Sequence, residues 1–390
     1  MTPGARVQAA IEILDLVIDA ARANGAPADR LIADWFRARR FAGSKDRRAI
    51  RELTYRAIRA CGEVPETGRA AMLRVAADEP DLAALFDGVG HAPATIDPDE
   101  PVAQAGLAPR WLVERFAASG VAEADALALL DRAPLDVRVN TLRPGRIDLP
   151  EGGERSVAAH GWRYPPETSI EQSDAYVHGA IEVQDTGSQL TCEAVAAQPG
   201  EMVIDLCAGA GGKTLALAAA MENIGTLVAC DTDRARLSRL APRAERAGAT
   251  GIDTALLDPN KEAQALQRFV DAADAVLVDA PCSGTGTWRR NPEARWRFTE
   301  AQLARYVAVQ ARLLDVAAGL VKPGGRLVFV TCSLLDEEGA SQAESFLKRN
   351  AGWRAVALEL PAGTRRGLGL RLSPWQDGTD GFFVARFARL

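Results

Sequence analysis

Met202-Val203-Ile204-Asp205-Leu206-Cys207-Ala208-Gly209-Ala210-Gly211-Gly212-Lys213-Thr214 is the stretch that decides the fold. A short apolar run ends on an acid, passes into a glycine-rich turn and opens a helical pattern. Outward from it, strands are predicted at Thr226 to Cys230, Asp253 to Leu257, Ala275 to Val278 and Arg326 to Val330, with helical patterns between them. The tail adds Ala355 to Leu360 and Gly381 to Phe387, the last antiparallel at an edge. This α/β alternation predicts a doubly wound parallel sheet of seven strands.

Ligands of such sheets sit at the carboxyl ends of the strands. Asp279-Ala280-Pro281-Cys282-Ser283-Gly284 follows the fourth predicted strand, and Thr331-Cys332-Ser333 closes the fifth. One acid and two thiols are therefore expected at the ligand edge, and neighbouring strands about 4.8 Å apart let both thiols face one substrate.

The glycine loop admits three ligands. Gly212-Lys213-Thr214 imitates the end of a phosphate-binding loop, but its opening glycine would have to stand at Cys207. The dinucleotide fingerprint needs Gly or Ala at Thr214. S-adenosylmethionine fits better, because its sites use a looser turn and an acid after the second strand for the ribose hydroxyls. Asp231 stands there, 20 residues beyond Gly211, and Asp258 after the third strand is the expected neighbour of the adenine. Either acid could instead cap the helix that follows it.

The six cysteines contain no C-x-x-C pair and the three histidines are scattered, so zinc spacing is absent. Hydrophobic content of 47% with 25% charged residues suits a globular protein with ample core. No membrane span or signal peptide is expected, because Glu12, Asp15 and Asp19 interrupt the first apolar segment. A cytoplasmic enzyme is the default, and nothing in the pattern asks for more than a monomer.

The net charge of −6 hides an asymmetry: residues 1–60 carry +5 and the remainder −11. A basic helical module is predicted there, with Val7, Ile11, Leu14, Ile18 and Ala21 on one face, a stop at Asn24-Gly25, and helices from Ala28 to Arg40 and from Ser44, its cap, to Cys61. Arg47, Arg48, Arg51 and Arg59 stand opposite its apolar face, which points to an anionic partner. Four segments are expected: a helical domain at 1–88, a Gly-, Pro- and acid-rich linker at 89–101, a small α+β subdomain at 102–180 and the catalytic domain at 181–390.

Asp205 to Thr214, Asp279 to Gly286 and Val330 to Ser333, with Arg138-Val139-Asn140-Thr141-Leu142, Val183-Gln184-Asp185 and Asp380-Gly381-Phe382-Phe383, resemble the RsmB/Nop/Sun family of RNA cytosine-5 methyltransferases. The resemblance covers about three quarters of the chain. Its paired Pro-Cys and Thr-Cys motifs are specific, although the family loop usually reads Cys-Ala-Ala-Pro-Gly-Gly-Lys where this chain has Gly209 and Ala210. Lys45 to Leu53 resembles NusB-type RNA-binding helical domains, in a version shortened to end near Asp87.

The chemistry explains the residue types independently. Carbon 5 of cytosine is a poor nucleophile until a thiolate adds to carbon 6. A carboxyl group at nitrogen 3 can share a proton during that addition. The resemblance implies Cys332 as the nucleophile, Asp279 as the acid on the base, Cys282 as the helper of product release and Lys213 as part of the catalytic set. It also implies S-adenosylmethionine held by Cys207, Ala208, Gly209, Ala210, Gly211, Gly212 and Lys213, with Asp231, Asp258 and Asp279. Thr287 to Arg297 interleaves Arg289, Arg290, Arg295 and Arg297 with Trp288 and Trp296, a combination suited to unpaired RNA, which Arg47 and Arg48 would extend. Ribosomal RNA is the favoured partner and transfer RNA an open alternative. The rival readings are a DNA cytosine-5 enzyme, an amino-methylating enzyme and a noncatalytic RNA-binding or ribosome-assembly factor on the same fold.

Overall fold

The computed structural model describes residues 1–143, 145 and 148–390. Its described residues group into two compact units: Met1–Asp131 with Thr287–Thr299, and Arg132–Gly286 with Glu300–Leu390.

The first unit is helical. Its opening helix, Pro3–Arg22, begins with Thr2 Oγ1 accepting the Ala5 amide at 3.2 Å and places Val7, Ile11, Leu14 and Ile18 inward, as predicted. Asn24, at φ 51°, supplies the left-handed residue just past its end. Helices Ala28–Ala38, Ser44–Ala60 and Gly68–Ala76 share its core of Ile32, Trp35, Phe36, Ile50, Ile58 and Met72. Ser44 is not the expected cap: it is already helical, and Gly43 before it has no side chain to offer.

The expected linker at 89–101 belongs to this same unit. Arg69 grips Glu100 with two bonds of 2.6 and 2.7 Å and donates to the carbonyls of Ala94 and Thr95. Beyond it, the Ala103 amide reaches Ala70 and Cys61 bridges Ala105. One arginine's donors thus order a segment whose composition reads as free chain. The division falls after Asp131, so 102–131 joins the helical unit, and the small sheet that follows joins the catalytic one.

That small sheet is antiparallel, in the order β2-β3-β1-β4, from β1 (Leu135–Val139), β2 (Glu154–Arg155), β3 (Gly161–Tyr164) and β4 (Ile181–Val183). The large sheet contains β5 (Met202–Asp205), β6 (Thr226–Asp231), β7 (Ile252–Leu256), β8 (Ala273–Asp279), β9 (Val321–Thr331), β10 (Trp353–Val356), β11 (Thr364–Arg366), β12 (Gly369–Leu372) and β13 (Phe382–Arg389). Its order is β11-β12-β13-β9-β8-β5-β6-β7, with β10 also pairing β13. The five strands from β5 to β9 are parallel neighbours and β13 runs antiparallel to β9, as the pattern predicted, but β13 is not at an edge, because β12 pairs its other side. The sheet has nine strands rather than seven. The two missed ones form a hairpin turning at Gly367, φ 54°; the first, Thr364-Arg365-Arg366, has no apolar residue, and the sequence reading missed the alternation of Leu368, Leu370 and Leu372 that marks the second.

Three of the motifs work as staples. The Asn140 side-chain amide donates to Gly179 and Ala247 carbonyls at 2.8 and 2.7 Å while its oxygen accepts the Leu142 amide. Asp185 caps the helix Thr186–Glu193 and accepts the Asp380 amide at 3.1 Å. Gly381 donates to the Gly286 carbonyl at 2.8 Å, and a Cβ on Gly381 would meet Gly286 Cα at 2.7 Å and Leu334 Cδ2 at 2.8 Å. We expect Gly381→Ala to destabilise the protein by about 1–3 kcal/mol through this overlap. Gly352→Ala, whose Cβ would meet nothing within 4 Å, should change stability far less when both are compared by urea denaturation.

Candidate active site

Parallel pairing of β8 with β9 sets Asp279 beside Val330, so both strands end at the same level. The chain then turns at Pro281-Cys282 and at Cys332, and the two sulfurs come to 3.3 Å. Both cysteines are half-buried. The neighbouring thiol and burial push Cys282 well above the ordinary thiol range, and the Glu338 carboxylate adds to the rise.

Lys213, at the start of the helix Gly212–Ala220, donates to Asp279 Oδ2 at 2.6 Å and lies 5.5 Å from the centre of the Phe382 ring. Burial works against its ammonium, but Asp279 outweighs it and holds the Lys213 pKa above its usual value, with Cys192 and Cys332 contributing. Asp279 Oδ1 takes no hydrogen bond from the described residues, and the side chain is 29% exposed. The ion pair thus fixes one carboxylate oxygen and leaves the other open as an acceptor.

The loop between β5 and that helix needs its glycines. Gly209 and Gly211 have φ 57° and 86°, and Gly211 lies so close to Leu240 that a Cβ would meet Cδ1 at 2.1 Å. Gly212 faces open space, at a helix start that no side chain caps. Asp205 receives the Thr214 hydroxyl on Oδ2 at 2.7 Å, while its buried Oδ1 has no partner among the described residues. Burial, with the nearby charge of Asp279, raises its pKa to about 7. The uncapped helix start offers backbone amides to an anionic group, while the open glycine and the orphaned acid oxygen leave room for polar and cationic ones, a cradle suited to a small zwitterion. These features fit S-adenosylmethionine.

Asp231 is buried with each oxygen accepting one backbone amide at 2.7 Å, from Gly209 and from Asp233. It ties the loop down, and each oxygen retains a further acceptor lone pair. Asp258 is exposed beyond β7.

The sequence reading missed what holds the two cysteine turns together. Glu338 is fully buried and accepts the Ser283 amide at 2.8 Å, the Ser283 hydroxyl, and the Gln310 amide group at 3.1 Å. Gln310 also donates to the Pro281 carbonyl at 2.9 Å, and Ser283, Ser333 and Thr285 join hydroxyls at 3.1–3.3 Å. Within Asp336-Glu337-Glu338 the sequence shows only an acid run, which reads as a solvated turn.

The arginine–tryptophan stretch requires correction. Thr287–Thr299 belongs to the helical unit, not to the catalytic one. Trp288 is buried edge-on against Phe116 at 5.2 Å, and the Trp296 indole donates to the Cys61 carbonyl. Arg295 is fully buried, donating to the carbonyls of Pro292, Ile58 at 2.6 Å, Arg59 at 3.3 Å and Cys61 at 2.9 Å, and burial lowers its pKa to about 10. Arg297 is spent on Gly25 and Ala26 carbonyls at 2.6 Å, and Arg289 is buried. Of the expected RNA-binding arginines, Arg47 and Arg48 are exposed and Arg290 is half-buried. Arg47 also donates to Ala42.

Known proteins resemble this arrangement. The family model described as 16S rRNA methyltransferase RsmB/F matches residues 192–388. The chain is 34% identical over 298 residues to the probable ribosomal RNA small subunit methyltransferase B of Synechocystis, covering 72% of this chain and 66% of that protein. It is 35% identical over 296 residues to the ribosomal RNA small subunit methyltransferase B of Xylella fastidiosa (strain Temecula1), covering 72% and 67%. The chain thus spans about two thirds of the length of these relatives. Among solved structures, PH0851 superposes with a TM-score of 0.78 at 26% identity over 99% of both chains. A methyltransferase homolog protein from Pyrococcus horikoshii gives 0.60 at 25% identity, over 72% of this chain and 99% of that one.

Truncating Arg295 to Ala strands buried carbonyls, and we expect a loss of about 3 kcal/mol. Arg48→Ala should stay within about 0.5 kcal/mol, the usual range for an exposed side chain. Equilibrium unfolding of the two variants checks the contrast.

Proposed function

The chain belongs to the RsmB/F family of 16S rRNA methyltransferases, and on that premise we propose that it is an S-adenosylmethionine-dependent methyltransferase forming 5-methylcytosine in ribosomal RNA. The observation that carries this reading is the pair of thiols 3.3 Å apart beside the Lys213–Asp279 ion pair. A single base set against both sulfurs would also meet the free oxygen of Asp279.

Cys207 to Lys213 and Asp231 would hold the cofactor, with Asp258 toward its adenine. When bound, S-adenosylmethionine supplies an electrophilic methyl group. The protein's residues then do the rest. The Cys332 thiolate forms a bond to carbon 6 of the cytosine, and the displaced electron pair makes carbon 5 nucleophilic while Asp279 shares a proton at nitrogen 3. Once carbon 5 carries the methyl group, its proton passes to a solvent water, the electron pair of that C–H bond re-forms the double bond, and the Cys332 thiolate is expelled with the pair of the carbon–sulfur bond. Cys282, facing the same carbon–sulfur bond, assists that release. The target cytosine must be presented unstacked, and the exposed Arg47 and Arg48 would meet its RNA. Such a substrate places the reaction in the cytoplasm, and a monomer suffices for it.

Cys332→Ala should abolish methylation, whereas Cys282→Ala should accumulate a covalent RNA adduct that survives a denaturing gel. An adduct with the first variant and none with the second would reverse the two roles. Calorimetric titration should show S-adenosylmethionine binding, and its absence would favour a noncatalytic RNA-binding factor. Bisulfite sequencing of total RNA from a deletion strain should reveal a lost 5-methylcytosine in small-subunit ribosomal RNA; a loss confined to transfer RNA would redirect the substrate.

A further inference from the structure

Two thiols at 3.3 Å pose a selection problem, because either could carry the negative charge. A thiolate beside a thiol is stabilised by the S–H it faces, so once one proton is lost the two sulfurs share the other until an external field breaks the tie. The field here is asymmetric. Cys332 feels the Lys213 ammonium, a cation paired with Asp279. Cys282 feels Glu338, whose Oε1 and Oε2 accept the amide and hydroxyl of Ser283, the next residue in the chain. No salt bridge neutralises Glu338 among the described residues. It is held instead by neutral donors, Ser283 and Gln310, which limit the rise that burial imposes on its pKa.

The same contacts fix geometry as well as charge. Glu338 follows β9, its backbone carbonyl accepts the Thr331 hydroxyl at 3.2 Å, and its carboxylate reaches across to the turn after β8. It therefore staples the Cys282 turn to the strand that ends at Thr331, just before Cys332. The other groups facing Cys282 are the Gly284 amide, which favours its thiolate, and the Tyr306 phenol on the helix Glu300–Leu320.

We propose that Glu338 is the positioning residue that decides which thiol attacks: its carboxylate and its grip on Ser283 hold the Cys282 turn so that attack falls to Cys332. The proposal rests on the two-thiol methyltransferase reading and adds to it the group that divides the labour. Its proton count is simple. Cys332 enters as the thiolate and forms the sulfur–carbon bond, while Cys282 keeps its proton throughout that step.

The test is site-resolved alkylation of the full-length protein by iodoacetamide across pH, quantified by mass spectrometry under single-hit conditions. In the native protein Cys332 should react at the lower pH. Glu338→Gln should move the Cys282 profile down by about one pH unit, a tenfold gain in its rate at fixed pH, and leave Cys332 nearly unmoved. Glu338→Asp, which keeps the charge, should restore the native order. A cooperatively folded Glu338→Gln protein with an unmoved Cys282 profile would overturn the proposal, as would an equal shift of both thiols, the mark of a merely loosened turn. If that variant fails to fold, the native order is still decisive, since Cys282 reacting first would sink the idea. None of these readouts uses RNA or cofactor, so a failure of RNA methylation and a failure of this assignment are separate results.

Discussion

The parallel ladder between β8 and β9 is the constraint on which the chemistry depends. It is five residues of register, Ala275 to Asp279 against Arg326 to Val330, buried on both faces by apolar side chains. A slip of one residue would turn every side chain of one strand to the opposite face. Because the register holds, the two strands end together, and the turns that leave them carry their cysteines to 3.3 Å. The site is a consequence of strand pairing before it is a matter of side-chain chemistry.

What surrounds that pair is a set of long-range ties. Lys213 links the cofactor loop to the acid after β8, so the glycine turn and the thiol site are one electrostatic unit. Gly286 and Gly381 touch backbone to backbone, pinning the segment after Cys282 to the strand that borders β9. Asp185 then anchors that same segment to the helix behind the loop. The first tie is an ion pair; the second exists because glycines let backbone groups meet directly, and the third because a carboxylate supplies an acceptor to backbone amides.

The helical unit shows burial overruling composition. Four arginines and two tryptophans in eleven residues have the make-up of a nucleic-acid surface, yet most of these side chains are interior. A guanidinium can be buried when carbonyl oxygens surround it, and Arg295 has found four of them. The tryptophans serve as apolar anchors with one polar atom to satisfy, which Cys61 does for Trp296.

The doubly wound sheet, the glycine loop, the acid and both thiols were legible in the sequence, because each is a local pattern: a strand period, a turn that needs glycine, a reactive residue where a strand stops. The edge hairpin was not, since its outer strand, Thr364 to Arg366, carries no apolar residue and is held by backbone pairing. Nor were the roles of Glu338 and Arg295. Ser283 lies 55 residues from Glu338, and Ile58 lies 237 from Arg295, so nothing in their neighbourhoods in the chain announces the contact. The sequence by itself determined which elements form and which chemical groups stand at their ends. Only the tertiary structure decided which charges are buried, which thiol faces a cation and which an anion, because burial and electric field depend on distances in space that separation along the chain does not encode.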